Sequence, residues 1–420
     1  MEEQEFAASV RSAGGRAFLV GGYVRDMLKS RFAASVDANG TGKDRDYMVS
    51  GLDEKNFAQL FPKAKRVGKS FPVYLLNIDG QKCEVALARR EYKSGRGYRG
   101  FNVEADPTVT IEEDLFRRDL TMNSMALELP ERTLIDPFGG ATDVEGKIIR
   151  ATSAHFVEDP VRALRAARQA AEHGFAITGD TLEQMRGCAG ELVGEPKERI
   201  VHELSLALLS SKPSIFFRSL QAAGLLEIIF PEIFRLRGKT QPELYHPEGD
   251  AFEHTMQVVD KVSDLTANVA ARFAALAHDL GKAATPESML PHHYGHEQRG
   301  LSVLAEWNRR MTIPATWRRA ANLVIKEHMR APRLKKPGKI VELLLTVSHS
   351  VLSIDDFNAC ILADHGSLPP YLSEHKKILA AITQISGRDA PPDLVGSAVG
   401  EWLKGRQLAA CQSIIKKMKG

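Results

Sequence analysis

The chain has 420 residues, 43% of them hydrophobic, with 56 basic and 53 acidic side chains and a formal net charge of +3. That length exceeds one ordinary core and suggests about two to four domains, while the near balance of charge excludes a globally basic nucleic-acid binder and leaves only local patches for such contacts. Four scattered cysteines without a C-x-x-C pair, an acidic start (MEEQEFAASVRSAGG) without an apolar signal core, and no uncharged run of ~20 residues predict a reduced, cytoplasmic protein that is neither exported nor inserted in a membrane.

The first predicted elements lie between Phe18 and Met48: FLVGGYVRDML, a spacer, then GKDRDYM. An apolar strand-like run ends at Gly21-Gly22, where backbone without a Cβ can approach a phosphate. Asp44 and Asp46 enter a second strand-like run. Side chains two apart on a strand share a face, and two carboxylates held that close repel unless a cation lies between them. Mg²⁺ on a nucleotide phosphate suits such a pair, because this ion prefers a few carboxylates plus phosphate oxygens. Taken alone, a D-x-D also reads as a solvated loop or cap, and a Gly-Gly as a tight turn.

From Phe18 to about Leu129 the pattern predicts a small α/β domain. Its strands are expected at Ala17 to Val20, Arg45 to Val49, Val73 to Ile78 and Lys82 to Leu87, rich in β-branched and aromatic residues and bounded by turn formers. Glu84, an acid inside the apolar run KCEVALAR, reads either as a third carboxylate or as an outward-facing edge residue. The glycine-rich, basic and aromatic stretch between Ala88 and Asp114 reads as a mobile loop. Its arginines and tyrosines either touch RNA or are merely solvated. In DLFRRDLTMNSMALEL, Asp114, Arg117, Arg118 and Asp119 crowd the expected start of a helix. The adjacent arginines suit triphosphate oxygens or serve as capping charges.

A different texture begins at Glu158. EDPVRALRAARQAA has acids and Pro160 at a helix start followed by alanines, a strong N-terminal signal. Asp159, Arg162, Arg165 and Arg168 recur every three residues, a drift of only ~60° per step on a helix, so one side carries an acid and three guanidinium groups. Cytosine and adenine each present an amino donor beside a ring-nitrogen acceptor, whereas uracil and guanine present the reverse. A carboxylate beside an arginine therefore accepts CTP and ATP and rejects UTP and GTP. The competing reading is an i,i+3 salt bridge between Asp159 and Arg162. From about Gly174 to Phe234 the chain reads as helical, with Glu198, Arg199 and Glu203 opening a helix that would buttress the preceding one.

Histidines dominate after Tyr245. His254 in FEHTMQVV, His278-Asp279 in ALAHDLGKA and Asp364 in ILADHGS each lie within or at the end of an apolar helical run. Neutral imidazoles and carboxylates make a workable set for a divalent transition metal, and an interior charged Asp279 beside His278 is costly unless it meets such an ion. His296 and His328 would add ligands for a second ion. From about Gly387 the sequence predicts a proline-bearing linker and a final amphipathic helix with a basic end.

With LVGGYVRD, KDRDY, FRRDLTMNSMA, EDPVRALRAAR and HDLGK in this order from Val20 to Asp364, the chain resembles the bacterial tRNA nucleotidyltransferase family, specifically the multifunctional CCA-adding proteins that carry an HD phosphohydrolase domain. Ser124 stands where alanine is usual, and the spacer from Met27 to Lys43 is longer than typical. The resemblance implies a polymerase-β-like α/β head over 1–145, a helical neck and body over 146–240, an HD metal phosphohydrolase domain over 241–370 and a helical tail over 371–420. It implies that Gly22, Arg25 and Arg118 contact the nucleoside triphosphate, that Asp44 and Asp46 hold Mg²⁺, and that Asp159, Arg162, Arg165 and Arg168 bind or select the nucleotide. His254, His278, Asp279 and Asp364 would hold a transition metal such as Ni²⁺, with Asp44, Asp46, His278 and Asp279 catalytic. The implied partners are tRNA, CTP and ATP, with neither DNA nor membrane, in a monomer or homodimer. Rival readings are a poly(A) polymerase, a CC- or A-adding enzyme, or a metal phosphohydrolase with a nucleotide-sensing head.

Overall fold

The strand-forming runs of the first part of the chain become β1 (Arg16–Val20), β2 (Asp46–Ser50), β3 (Lys65–Val67), β4 (Val73–Ile78), β5 (Gln81–Leu87), β6 (Arg89–Lys93), β7 (Phe101–Ala105), β8 (Ala126–Glu128) and β9 (Thr133–Ile135). Except for β6 and β7 they gather into one mixed sheet of order β3-β4-β5-β2-β1-β8-β9. The computed structural model describes residues 1–32, 45–67, 73–93, 95 and 101–418. Asp44 lies outside the described residues, as does most of the spacer before it.

In β1 and β2 the four residues after the first are all buried, as expected of central strands covered on both faces. β4 and β5 instead alternate, the mark of strands with one wetter face. β1 and β2 run antiparallel, and β2 runs parallel to β5. Phe18, Val20, Met48 and Ala126 from the sheet meet Ile111 and Leu115 in the core beneath it. Burying each large apolar side chain contributes about 1.5–3 kcal/mol.

Two expectations are corrected here. The stretch after Ala88 is not an unstructured loop: β6 and β7 form an antiparallel hairpin, with Arg89 opposite Ala105 and Lys93 opposite Phe101. Backbone pairing between two strands is invisible in the composition of either one. Of Gly95, Gly97 and Gly100, on which the loop reading rested, the last two lie outside the described residues. Second, Arg117 and Arg118 follow a helix rather than open one. The helix is Ile111–Phe116, begun by a capping box in which the Thr110 side chain accepts from Glu113 N–H and Glu113 accepts from the Thr110 backbone N–H in return. The apolar run after the arginines becomes a 3₁₀ turn, Thr121–Asn123, and then β8. T-x-x-E is a legible start signal, but the apolar run drew attention downstream.

The chain divides into two compact units, Met1–Glu203 with Ile215–Ile229, and Leu204–Ser214 with Phe230–Gly420. The first also contains the helix Val161–His173, closed by Gly174 in the left-handed conformation, the usual helix terminator. The second is helical. The alanine-rich helix Val269–Ala277 packs against Ala251–Leu265 and Ala315–Glu327, its small side chains permitting close approach. Phe273 lies 5.3 Å from the Trp307 ring and 5.2 Å from that of Trp317. The final helix, Ser397–Lys417, fully buries only Cys411. No helix among the described residues is long and apolar enough to cross a membrane, and all four cysteines are buried free thiols.

Candidate functional site

In the first unit, the end of β2, the Gly21-Gly22 turn and the helix Val161–His173 wall an open cleft of about 590 Å³. Asp46, Gly22, Arg25, Arg118, Asp159, Arg162, Arg165 and Arg168, all singled out by the sequence, line it together. Gly21 has φ +71°, a turn that disfavours any side chain, and a Cβ there would sit 3.5 Å from Arg118 Nη1. β2 and β5 set Asp46 and Glu84 in register. β5 is an interior strand, so Glu84 is not on a sheet edge, although its side chain is exposed as an outward-facing residue would be. Glu84 and Asp46 line the same recess, and oxygen donors of this kind fit a hard divalent cation.

The cleft arginines are held by partners, some within a few residues in the chain and some far from them. Asp114, 1% exposed in its side chain, takes Arg117 Nη2 at 2.6 Å on one oxygen and Arg118 Nη2 at 3.1 Å on the other. Burial would raise the Asp114 pKa, but the two guanidinium groups outweigh it and hold the carboxyl below its usual range. Arg25 donates to Asn123 Oδ1 at 2.9 Å and to Gln169 Oε1 at 3.2 Å. Arg165 Nε donates to Asp119 at 2.8 Å, and Arg168 Nε to Glu203 at 2.7 Å. The paired cations are thereby pre-positioned, which lowers the ordering cost of gripping a polyanion.

The i,i+3 bridge between Asp159 and Arg162 does not form. Asp159 instead accepts from Arg199 Nη2 at 3.1 and 2.8 Å and from the Val161 N–H at 3.2 Å. Arg162 Nη1 donates to the His155 carbonyl at 2.7 Å. Arg199 and Glu203 both lie on the helix Lys197–Leu209, which therefore braces the arginine-bearing helix. Asp119, Asn123 and Gln169 are cleft residues that sequence reasoning gave no role. Their signal was polarity inside otherwise buried runs: each is at most 9% exposed.

In the second unit four helix termini converge. His278 caps the C-terminus of Val269–Ala277, His328 that of Ala315–Glu327, Asp364 lies in the last turn of Ile354–His365, and His296 begins His296–Met311. The three C-terminal ends among them, at His278, His328 and Asp364, are carbonyl-rich and favour a cation. His254 Nε2 lies 3.0 Å from Asp364 Oδ1, and His278 Nε2 lies 3.1 Å from Asp279 Oδ2 and 3.7 Å from Asp364 Oδ1. The four predicted ligands are thus adjacent, and a cleft of about 630 Å³ opens beside them.

Among the described residues, His278 Nε2, both Asp279 oxygens and Asp364 Oδ2 are buried without a hydrogen bond of acceptable geometry, although the Lys282 ammonium lies 2.6 Å from Asp279 Oδ2. Such orphaned donor and acceptor atoms fit a bound transition metal. Burial would lower the His278 pKa, but Asp279 and Asp364 overcome it and push the imidazole up to about 9. The same neighbours, His278 and Lys282, hold Asp279 well below the usual carboxylate range against its burial. The site therefore attracts positive charge strongly.

Comparison with known proteins matches three segments of the chain to family models. Residues 17–150 match the poly A polymerase head domain, 174–236 the probable RNA and SrmB-binding site of polymerase A, and 251–351 the HD domain. The chain is 44% identical to the multifunctional CCA protein of Nitrosococcus oceani over 331 residues, 78% of each chain. It is 39% identical to that of Xanthomonas euvesicatoria over 421 residues, covering 94% of this chain and 98% of the relative. A Bacillus stearothermophilus CCA-adding enzyme solved with CTP shares the fold at a TM-score of 0.66 and 22% identity, covering 98% of this chain and 92% of that one. A tRNA nucleotidyltransferase solved with a primer tRNA and an incoming ATP analog does so at a TM-score of 0.59 and 22% identity, covering 90% and 98%.

Proposed function

The chain belongs to the multifunctional CCA protein family, and on that basis we propose that it adds CCA to the 3′ end of tRNA, using CTP and ATP without a template and releasing pyrophosphate. The observation that carries this reading is the single cleft in which the Asp46 strand end, the Gly21-Gly22 turn and arginines from four separate segments meet.

The 3′-hydroxyl oxygen of the tRNA attacks the α-phosphorus, the bond from that phosphorus to the bridging oxygen breaks, and pyrophosphate departs while the hydroxyl proton passes to solvent. Mg²⁺ held by Asp44 and Asp46, with Glu84 as a candidate third carboxylate, would lower the hydroxyl pKa and neutralise the leaving oxygens. Gly22 lets backbone approach the phosphates, and Arg25 and Arg118 clamp them, so most of the catalysis is positioning and electrostatics. Asp159 accepts the exocyclic amino group of cytosine or adenine while Arg162 donates to the neighbouring ring nitrogen. Arg165 and Arg168 hold the remainder of the nucleotide.

The second site serves as a metal phosphohydrolase acting on phosphomonoesters or 2′,3′-cyclic phosphates of damaged tRNA ends. His254, His278, Asp279 and Asp364 would hold a divalent transition metal such as Ni²⁺, which supplies an activated water when bound. The functional division is a head over 1–145, a neck and body over 146–240 that select nucleotide and bind RNA, an HD domain over 241–370 and a tail over 371–420. The protein works as a monomer or homodimer in the cytoplasm, consistent with its reduced, buried thiols.

Incubating tRNA that lacks its terminal nucleotides with CTP, ATP or both tests the reading by product length. Full CCA is expected only with both nucleotides. Products ending at CC, a single added A, or a long A tract would instead indicate a CC-adding, A-adding or poly(A)-polymerising enzyme. No extension beside intact phosphoester hydrolysis would leave a phosphohydrolase with a nucleotide-sensing head. Asp44→Ala should abolish extension, and wild-type extension by that variant would refute the assignment.

A further inference from the structure

The cleft of the second unit changes character from its buried end to its exposed one. At the buried end lie Asp279 and Lys282. At the exposed end lie Tyr245 and Tyr294, which line the same cleft and are 76% and 70% exposed. His292, a third lining residue, stacks on the Tyr294 ring with centroids 5.4 Å apart and planes 20° from parallel. One exposed tyrosine needs no explanation. Two of them with a stacked imidazole around one charged cleft make an aromatic rim.

The backbone beneath the rim is anchored. His293, between His292 and Tyr294 in the chain, is buried; its Nε2 faces the Thr240 carbonyl at 3.0 Å and its Nδ1 the Thr285 hydroxyl at 2.8 Å. A carbonyl only accepts, so Nε2 donates and Nδ1 accepts from the hydroxyl. This ring therefore ties the segment of Tyr294 to the one that leads to Tyr245. In that second segment the Gln241 N–H donates to the Gly249 carbonyl at 2.9 Å, and the Tyr245 and His246 N–H groups donate to the Pro242 carbonyl at 3.1 and 3.0 Å. Rings presented from an anchored backbone lose less freedom when a flat ligand meets them. Arg333 also lines the cleft, is exposed, and makes no salt bridge among the described residues.

We propose that Tyr245 and Tyr294 are specificity-determining residues that stack the base of a nucleotide substrate, while its ribose phosphoester points toward Lys282, Arg333 and the buried end of the cleft. This rests on the reading of the site as a metal phosphohydrolase, and it makes the site selective for phosphoesters that carry a base. Every base has a π-face, so stacking of this kind tolerates all four. An aromatic mouth and a cationic interior match the two ends of such a ligand.

The test uses the full chain supplied with Ni²⁺. Its substrates are the four nucleoside 2′,3′-cyclic phosphates and the same cyclic phosphate with hydrogen in place of the base. The parent chain should prefer every nucleotide by about 5- to 150-fold in kcat/KM, the usual worth of stacking one base. Tyr245→Ala with Tyr294→Ala should remove most of that preference through KM, leaving kcat and the base-free ester unchanged. Tyr245→Phe with Tyr294→Phe should keep it. An undiminished preference in the alanine pair, or an equal loss on the base-free ester, would overturn the rim and leave the phosphohydrolase reading intact. No hydrolysis of any ester by the parent chain would overturn that reading instead. Ultraviolet crosslinking of iodouridine 2′-phosphate to the parent chain, mapped by peptide mass spectrometry, then decides the rim: label on Tyr245 or Tyr294 supports it, and label only elsewhere overturns it. A free nucleotide and an RNA end offer the same chemistry. A lower KM for a trinucleotide with a cyclic phosphate end than for the mononucleotide assigns the rim to RNA ends, and an equal KM assigns it to free nucleotides.

Discussion

A Cβ on Gly281 would lie 1.8 Å from the carbonyl oxygen of His296 and 2.6 Å from the amide nitrogen of Gly300, so the first turn of the helix His296–Met311 rests directly on the HDLGK backbone. The glycine is required by this close approach, which delivers His296 to Asp279. Gly281→Ala must push the helix away. Overpacking of this kind typically costs about 1–3 kcal/mol, so thermal unfolding should shift down and bound transition metal should fall, while tRNA extension persists. An unchanged melting temperature with full metal content would show that the helix does not depend on this contact.

The two sites lie in separate compact units, and their activities should separate by mutation. Asp46→Asn removes a cleft carboxylate and should lower nucleotide addition at least about a hundredfold, a typical loss when one preorganised electrostatic group is removed. Phosphoester hydrolysis should survive. His278→Ala should do the reverse. Both activities measured on each folded variant check this, and simultaneous loss of both in either one would contradict independent sites.

Arg199 Nη2 bridges both oxygens of Asp159, and under the proposed function it would position that carboxylate for nucleotide choice. Without it the carboxylate keeps only the bond from the Val161 N–H as an anchor. Arg199→Ala should reduce the preference for CTP and ATP over UTP and GTP about tenfold, equivalent to about 1.4 kcal/mol of lost discrimination. The ratio of kcat/KM values for the four nucleotides reports it. A uniform fall in rate with unchanged ratios would assign Arg199 a merely structural role.

Asp119 is buried, which alone would raise its pKa, but the Arg165 guanidinium and the Asn123 amide outweigh burial and hold it at about 2 against an ordinary 3.8. A carboxyl depressed in the folded state contributes stability that is complete above its unfolded pKa and lost as pH falls toward 2. Asp119→Asn should therefore cost about 2 kcal/mol at neutral pH and flatten the acid limb of the stability curve between about pH 4 and pH 2. Urea unfolding across that range measures it. An acid limb of unchanged steepness would show that Asp119 does not carry this linkage.

Much of this protein was legible in one dimension because it rests on local patterns. Strand runs such as Val73–Ile78, the helix start at Pro160 and the HDLGK segment place chemistry through spacings of a few residues, where backbone geometry alone decides which side chains share a face. The acidic partners were not legible. Asp119 and Arg165 are 46 residues apart and Asp159 and Arg199 are 40 apart, so only packing decides that these charges meet, and no short window of sequence contains both. Parallel pairing of β2 with β5 set Glu84 beside Asp46, which alternation within either strand could not do. Residue order alone supplies the chemical inventory: the carboxylate strand, the arginine helix and the histidine helices, in that succession. That Asp279 faces four imidazoles with its two oxygens depends instead on the folded chain, because the arrangement exists only where separate helix termini converge and a glycine lets one of them come close.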